Sequence, residues 1–450
     1  MEQGKEARTD RLFENITFLK EAAVRKFLPF LLVLLALALV LPVSGRAGAV
    51  SSKYDVTFGG FVKYDLGYST QNNNSDATYA YRHSSSDRAV LADEYGNTFA
   101  TAAETRFSFL VKGPDLWGAK TSAFIQGDFR GTGDGYGGYT LKHAFLTLKW
   151  PSTELLIGQG WQQWGTPYYG AWIGANDFTQ YLAGVDRPQI AFRHFFTKEV
   201  SAMFGLISAT DWAGQSNQYN DGYARSSWPG LQGEIAYWSD RCGRIGANNL
   251  KLGLGGYYGR DRETYTDPSG AAGYKDSTIN AWVTAFRYSV PIVPERKGNK
   301  TMSLLLNGSF FMGQNVGGNN WMGGAATSNG SYLRPDNDAT APTVFGLFTQ
   351  ASWWLTDNLW LNGMYGYLKY NYSGYARTVN PGTDRINMMQ TYATNLLWDA
   401  NESLRFGLQW MLMFNHYNGV GTGGTGATGS GFADASGTVQ QYRFAAWYFF

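Results

Sequence analysis

The side chains able to do chemistry are few and scattered. There are four histidines, His83, His143, His194 and His416, and a single cysteine, Cys242. One cysteine permits neither an intrachain disulfide nor a cysteine-based zinc or haem site. Neither G-x-S-x-G nor H-E-x-x-H occurs, so no nucleophile elbow or zinc-protease helix is encoded. What remains is a set of cations and carboxylates at alternating positions. Arginine can fork onto a carboxylate with two parallel hydrogen bonds. The chemistry on offer is therefore recognition of charged solutes, with no catalytic residue, metal or cofactor expected.

Positioning such groups requires the elements around them. The chain has 450 residues, with 16% charged, 16% aromatic and 56 glycines. An ordinary soluble domain carries about 25% charge. Mean hydropathy is −0.30, which excludes a bundle of membrane helices. Low charge with many aromatics also excludes a disordered chain. One long apolar run exists, Phe27 to Val43, preceded by Arg25-Lys26 and followed by Ala47-Gly48-Ala49. That is the pattern of a secretory signal peptide. The run is also of marginal length for a membrane anchor. Residues 1–49 are thus expected to be an extension and leader cleaved near Ala49, and 50–450 the mature domain. The stretch before Val24 is longer than a basic region needs, which suggests initiation nearer Val24. The leader holds seven of the 37 basic and five of the 35 acidic residues, leaving thirty of each. The formal +2 disappears with it, and nucleic acid is not an expected partner.

After Ser51, segments of 9–16 residues alternate apolar and polar, joined in turn by short and longer connections. The short ones are 113–115, 151–153, 197–198, 240–249, 291–299, 356–358 and 399–402. The longer ones are about 71–98, 131–138, 161–187, 211–228, 262–275, 315–343, 374–385 and 418–437. Seven turns and eight loops predict about sixteen strands in an all-β, transmembrane antiparallel barrel. Short periplasmic turns and long outer loops are the asymmetry of bacterial outer-membrane barrels. Successive strand residues face opposite sides, and in lipid one side must be apolar and the sheet closed. Leu404, Phe406, Leu408, Trp410, Leu412 and Phe414 share one parity, with Arg405, Gly407 and Gln409 on the other. Thr105, Phe107, Phe109 and Val111 are read as one face of a strand near 101–112, and Glu104, Arg106, Ser108 and Lys112 as its opposite. In the last strand Tyr442, Phe444, Ala446, Tyr448 and Phe450 face outward. A terminal Phe on such a strand resembles the tag that barrel-assembly machinery reads in Gram-negative bacteria.

Sixteen strands leave an aqueous lumen. Parity turns Lys63, Arg106, Lys120, Arg130, His143, Arg193, Arg405 and Arg443 inward. Asp65, Glu104 and Asp128 join them on the same wall, so the wall is either an anion-concentrating patch or a self-neutralising network. The third outer loop, 161–187, carries Trp161, Trp164, Tyr168, Tyr169, Trp172 and Phe178, and the acids Asp177 and Asp186. Water has no use for that many aromatics, so the loop is expected to fold into the lumen as a constriction, the alternative being a surface loop packed on a partner subunit or on lipid headgroups.

The stretches Glu104 to Gly131, Leu141 to Gly165 and Asp186 to Phe196 resemble the DcaP-like outer-membrane porins. The echoes are Arg106-Phe107, Gly113-Pro114, Gln126-Gly127-Asp128-Phe129, Lys142-His143-Ala144 and Ile157-Gly158-Gln159, with Gly59 to Tyr68 as the opening strand. The resemblance implies a homotrimer in the bacterial outer membrane, set among lipid and lipopolysaccharide, that passes small anionic solutes including dicarboxylates. It also implies that Lys63, Arg106, Asp128 and His143 lie on the pore wall and that loop 161–187 is the constriction. The mixed lumen charge departs from a strongly basic throat. The competing readings are a barrel sheath for an electron conduit, threaded by a partner's haems, and a barrel enzyme.

Overall fold

The computed structural model describes residues 54–71, 95–131, 137–175, 177–184, 186–208, 229–266, 274–315, 332–333, 339–371, 386–417 and 436–450. Residues 1–53, His83 and most residues of the longer connections lie outside the described residues. Alternating apolar and polar residues make strands here because each then offers one face to each side of a sheet. The strands are β1 (Asp55–Ser69), β2 (Asn97–Thr101 and Arg106–Lys112), β3 (Lys120–Gly131) and β4 (Gly138–Lys149). Next come β5 (Thr153–Trp161), β6 (Asp186–Phe195), β7 (Val200–Ile207) and β8 (Gly230–Ile245). Then follow β9 (Asn248–Thr266), β10 (Tyr274–Val293), β11 (Leu304–Gln314) and β12 (Thr343–Trp354). The last four are β13 (Leu359–Asn371), β14 (Ile386–Asp399), β15 (Leu404–Tyr417) and β16 (Ser436–Phe449). Each strand pairs antiparallel with the next, and β1 pairs with β16 over Phe61↔Phe449 to Ser69↔Gln441. The ring is a closed sixteen-stranded antiparallel barrel. A short pair, Tyr332–Leu333 with Ala339–Thr340, stands outside it.

The outer face is apolar and exposed: on β1, Val56, Phe58, Val62, Tyr64, Leu66 and Tyr68 alternate outward. Closure leaves no edge, which is what hydrocarbon surroundings demand of a sheet. Phe450 seals the seam. Its carbonyl accepts from Gly60 N at 3.1 Å, its own N–H donates to Gly60 O at 3.2 Å, and its ring lies 5.3 Å from Phe58.

Three expectations about the strands need correction. The second strand is not continuous over 101–112. Both of its halves pair with β1, but Ala102 to Thr105 leave the ladder. Thr105 N–H bonds back to Ala102 O, and the Thr105 hydroxyl takes over the ladder at Lys63, accepting from its N–H at 3.1 Å. Thr105 is therefore buried and does not continue the outward face of Phe107. The connection placed at 240–249 shrinks to Gly246 and Ala247, because β8 and β9 run on as a long hairpin with a register shift at Asn249/Leu250. The strand before 291 continues through Pro291 to Val293, with the ladder shifting register where proline has no N–H to give.

Candidate functional site

The third loop runs through the lumen. Among the described residues of 162–184, Trp164, Phe178 and Tyr181 are fully buried, and Leu182, Ala171 and Ile173 nearly so. Trp164 Nε1 donates to Gln232 Oε1 on β8 at 3.1 Å, and Tyr181 OH meets Thr391 Oγ1 on β14 at 2.5 Å. The Phe178 and Trp172 rings pack on Phe348 of β12, at 5.1 and 5.3 Å. Burial raises the pKa of the Tyr181 phenol, so it stays protonated and can bond Thr391. Phe178 opens the short helical turn Thr179–Tyr181 at φ 62°. A left-handed aromatic costs of order 1 kcal/mol, which the packed surroundings must offset. Trp161 is different: at the strand end it stays 40% exposed rather than buried by the loop.

Facing residues complete this interior. On β10 to β16 the inward positions toward the loop ends are apolar, among them Val283, Phe311, Val344, Leu368, Met389 and Met413. The loop aromatics and these residues form one dry core inside the barrel. Below it the wall turns polar and uncharged, and register links the belt: Ser289↔Asn307↔Gln350, then Ser352↔Asn362↔Asn395↔Gln409, which ends against the charged Arg443 at the seam.

The charged side chains gather in three groups. In the first, Lys63, Asp65, Glu104, Arg443 and Asp177 interlock at the seam. Lys63 Nζ pairs with Glu104, lies 3.1 Å from Asp65, and donates to Ile173 O at 2.6 Å. Arg443 lies 3.5 Å from Asp65 and 3.9 Å from Asp177. Lys63 and Arg443 are 1% and 3% exposed, so they are a closed network rather than a patch facing solution. In the second group, Arg106 sits 3.6 Å from Asp128, and Lys142 sits 3.8 Å from Asp128 and 3.4 Å from Asp186. His143 Nε2 is 3.9 Å from Asp186. Arg106, Lys142 and Asp186 keep 23%, 17% and 17% of their side chains exposed. Arg130 continues this wall, its N–H bonded to Asp128 Oδ1 at 3.2 Å. The third group is a carboxylate held between two guanidinium groups. Glu234 takes Arg287 at 2.6 and 2.8 Å and Arg193 at 3.0 Å. Arg287 also donates to Gln163 O of the loop at 2.7 Å and stacks 4.2 Å from the Tyr168 ring. Burial pushes the Tyr168 phenol up to about 12.

Lys120 does not join the constriction. It stands at the turn end, its side chain 81% exposed, paired with Asp115 at 2.7 Å. Arg405 also lies toward the turns, held by Asp399 at 2.5 and 3.0 Å. Lys142, Glu234 and Arg287 are functional-site residues outside the inward set read from the sequence. Lys142 has no register partner because Gln126 pairs with His143 and Gly127 with Leu141. Such a bulge turns two consecutive side chains to one side, here Lys142 and His143. Glu234 and Arg287 follow strict alternation on β8 and β10 and were readable. Among the described residues no cluster of His, Cys, Asp and Glu has a metal-binding arrangement.

Toward the turns the loop divides the interior. One space of about 450 Å³ is lined by Phe61, Lys63, Arg106, Tyr169, Arg405 and Trp447. Another of about 600 Å³ is lined by Glu154, Tyr168, Arg193, Trp238, Lys251 and Arg287. Trp161 and Thr166 border both.

No family model and no curated protein matches this chain. Solved structures do. The outer membrane channel DcaP of Acinetobacter baumannii is similar over 88% of this chain and 97% of that chain, with 18% identity and a TM-score of 0.64. An anion-selective porin from Comamonas acidovorans is similar over 88% of this chain and 100% of that chain, with 12% identity and a TM-score of 0.53. The chain thus has the fold of outer-membrane channels, with a DcaP channel among its structural neighbours.

Proposed function

We propose that this protein is a bacterial outer-membrane porin, exported by the segment before residue 50 and embedded among lipid and lipopolysaccharide. Its passage admits small hydrophilic solutes by diffusion. The observation that carries this reading is the asymmetry of the lumen. The loop covers the wall from β8 round to the seam, whereas Arg106, Lys142 and Asp186 on β2, β4 and β6 stay partly open. Solutes then pass along the β2–β6 sector. There Arg106, Arg130 and Lys142 outnumber Asp128 and Asp186, which favours small anions, dicarboxylates among them. A homotrimer and delivery by the barrel-assembly machinery, through the outward aromatics Tyr442, Phe444, Tyr448 and Phe450, belong to the same proposal. A loop filling the lumen speaks against a haem-bearing partner threaded through it.

Planar-bilayer recording tests this. Stepwise ohmic conductance is expected, in threes for a trimer, with a salt-gradient reversal potential on the anion side. Well-folded protein without channel activity would overturn the porin, and a cation-side potential would overturn the anion preference alone.

A further inference from the structure

We infer that the wall itself sets the aperture: Gln350, Asn395 and Gln409 seat the loop, and Gly255, Gly366 and Gly407 are sockets that receive its side chains. This rests on the porin reading for its consequence, but not for its geometry.

The seat is a ladder made of side chains. Ala171 N–H donates to Gln350 Oε1 at 3.0 Å, and Ala171 O accepts from Asn395 Nδ2 at 2.6 Å. Two residues on, Ile173 N–H donates to Gln409 Oε1 at 3.0 Å, and Ile173 O accepts from Lys63 Nζ at 2.6 Å. Both backbone groups of alternate residues are met, as a neighbouring strand would meet them. Gln409 also donates to Asp177 Oδ2 at 2.5 Å, tying down the next bend of the loop. Buried backbone groups must be paired, so displacing this segment strands four of them.

The sockets fix the same loop sideways. A Cβ on Gly255 would lie 2.7 Å from Trp164 Cβ, and one on Gly407 would lie 2.7 Å from Ile173 Cδ1. A Cβ on Gly366 would strike the Tyr181 ring. These glycines sit in strands, where glycine is otherwise unfavourable. Their value is the room they leave for three loop side chains. The aperture is therefore a fixed property of strands distant in sequence from the loop, and these positions determine the size of solute that passes.

The test compares wild type with the double variant Gln350→Ala/Gln409→Ala and with Gly366→Ala, whose added Cβ meets the rigid Tyr181 ring. Gly363→Ala is the control, since a Cβ there meets nothing within 4 Å. Folding is checked by heat-modifiable gel mobility. Single-channel conductance and the largest polyethylene glycol admitted are read in bilayers, and chymotrypsin cleavage of the loop aromatics is read in detergent. Both seat variants should raise conductance about twofold or more, admit larger polymers, and expose the loop to cleavage, with the control like wild type. If wild type conducts and the folded variants match it in cut-off and protease resistance, the seat is overturned. If wild type does not conduct, the porin reading falls. The protease comparison still decides the seat: cleavage of the variants alone upholds it, and equal resistance refutes it.

Discussion

Glu234 shows how burial changes the worth of a charge. Its side chain is fully buried, and Arg193 and Arg287, each 12% exposed, close on it from two strands. Removing the carboxylate leaves two confined guanidinium groups facing each other. Breaking such a buried arrangement costs about 3–5 kcal/mol. Glu234→Ala should therefore lower the denaturant midpoint of the refolded barrel markedly and loosen the loop at Gln163. Asp399→Ala is the contrast. Its partner Arg405 is 33% exposed and Asp399 29%, and surface-like pairs contribute about 0–1 kcal/mol. Little change in midpoint is expected there. An equal loss for both variants would mean that burial does not govern these pairs.

At the scale of the element, two local departures from regular β-structure shape the charged wall. The interruption at Ala102–Thr105 lets Glu104 reach Lys63, and the Thr105 hydroxyl repairs the ladder it breaks. The unpaired residue in β4 turns Lys142 into the lumen beside His143. Charge effects on permeation should follow exposure. Lys142→Ala should move the reversal potential toward the cation side, whereas Arg443→Ala, whose charge is closed off by Asp65 and Asp177, should move it less. A larger shift from Arg443→Ala would show that the seam network faces the solute after all. Parity reads Arg443 and Lys63 as equals of Arg106. It says which way a side chain points, but not whether a carboxylate and a loop carbonyl already occupy it.

For the whole molecule, the notable feature is a dry core inside a barrel whose outer face is also apolar. Trp164, Phe178 and Tyr181 each remove a large ring from water, which is worth roughly 1.5–3 kcal/mol apiece. Two phenols of the loop, Tyr181 in this core and Tyr168 beside Arg287, make the loop's packing sensitive to alkali. Tyr168 has its pKa raised from 10.0 to about 12, and Tyr181 is raised as well, both mainly by burial. A raised folded-state value means the stabilising contribution is whole below pH 10 and is lost as the pH climbs through about 12. An ultraviolet titration of tyrosinate should show a late-ionising class. Its ionisation should coincide with loop cleavage by protease, and Tyr168→Phe should shrink the class. Tyrosines that all ionise together near pH 10 would contradict the buried phenols.

The sequence by itself determined the barrel: period-two patterning, seven turns against eight loops, and aromatics that only lipid or a filled lumen could use. These are local signals, because alternation, turn chemistry and loop length are each written in one contiguous stretch of the chain. It also marked the third loop as a candidate for infolding, against the alternative that its aromatics pack on a partner subunit or on lipid headgroups. Only the tertiary structure decided where that loop rests, which cations are spent in ion pairs, and which glycines are sockets. Those facts depend on contacts between segments hundreds of residues apart, such as Ile173 with Gln409, and on a single bulge that reverses parity at Lys142. A one-residue shift in pairing moves every side chain to the opposite face. The lining of the passage is therefore settled by pairing between strands, which no single segment of the chain encodes.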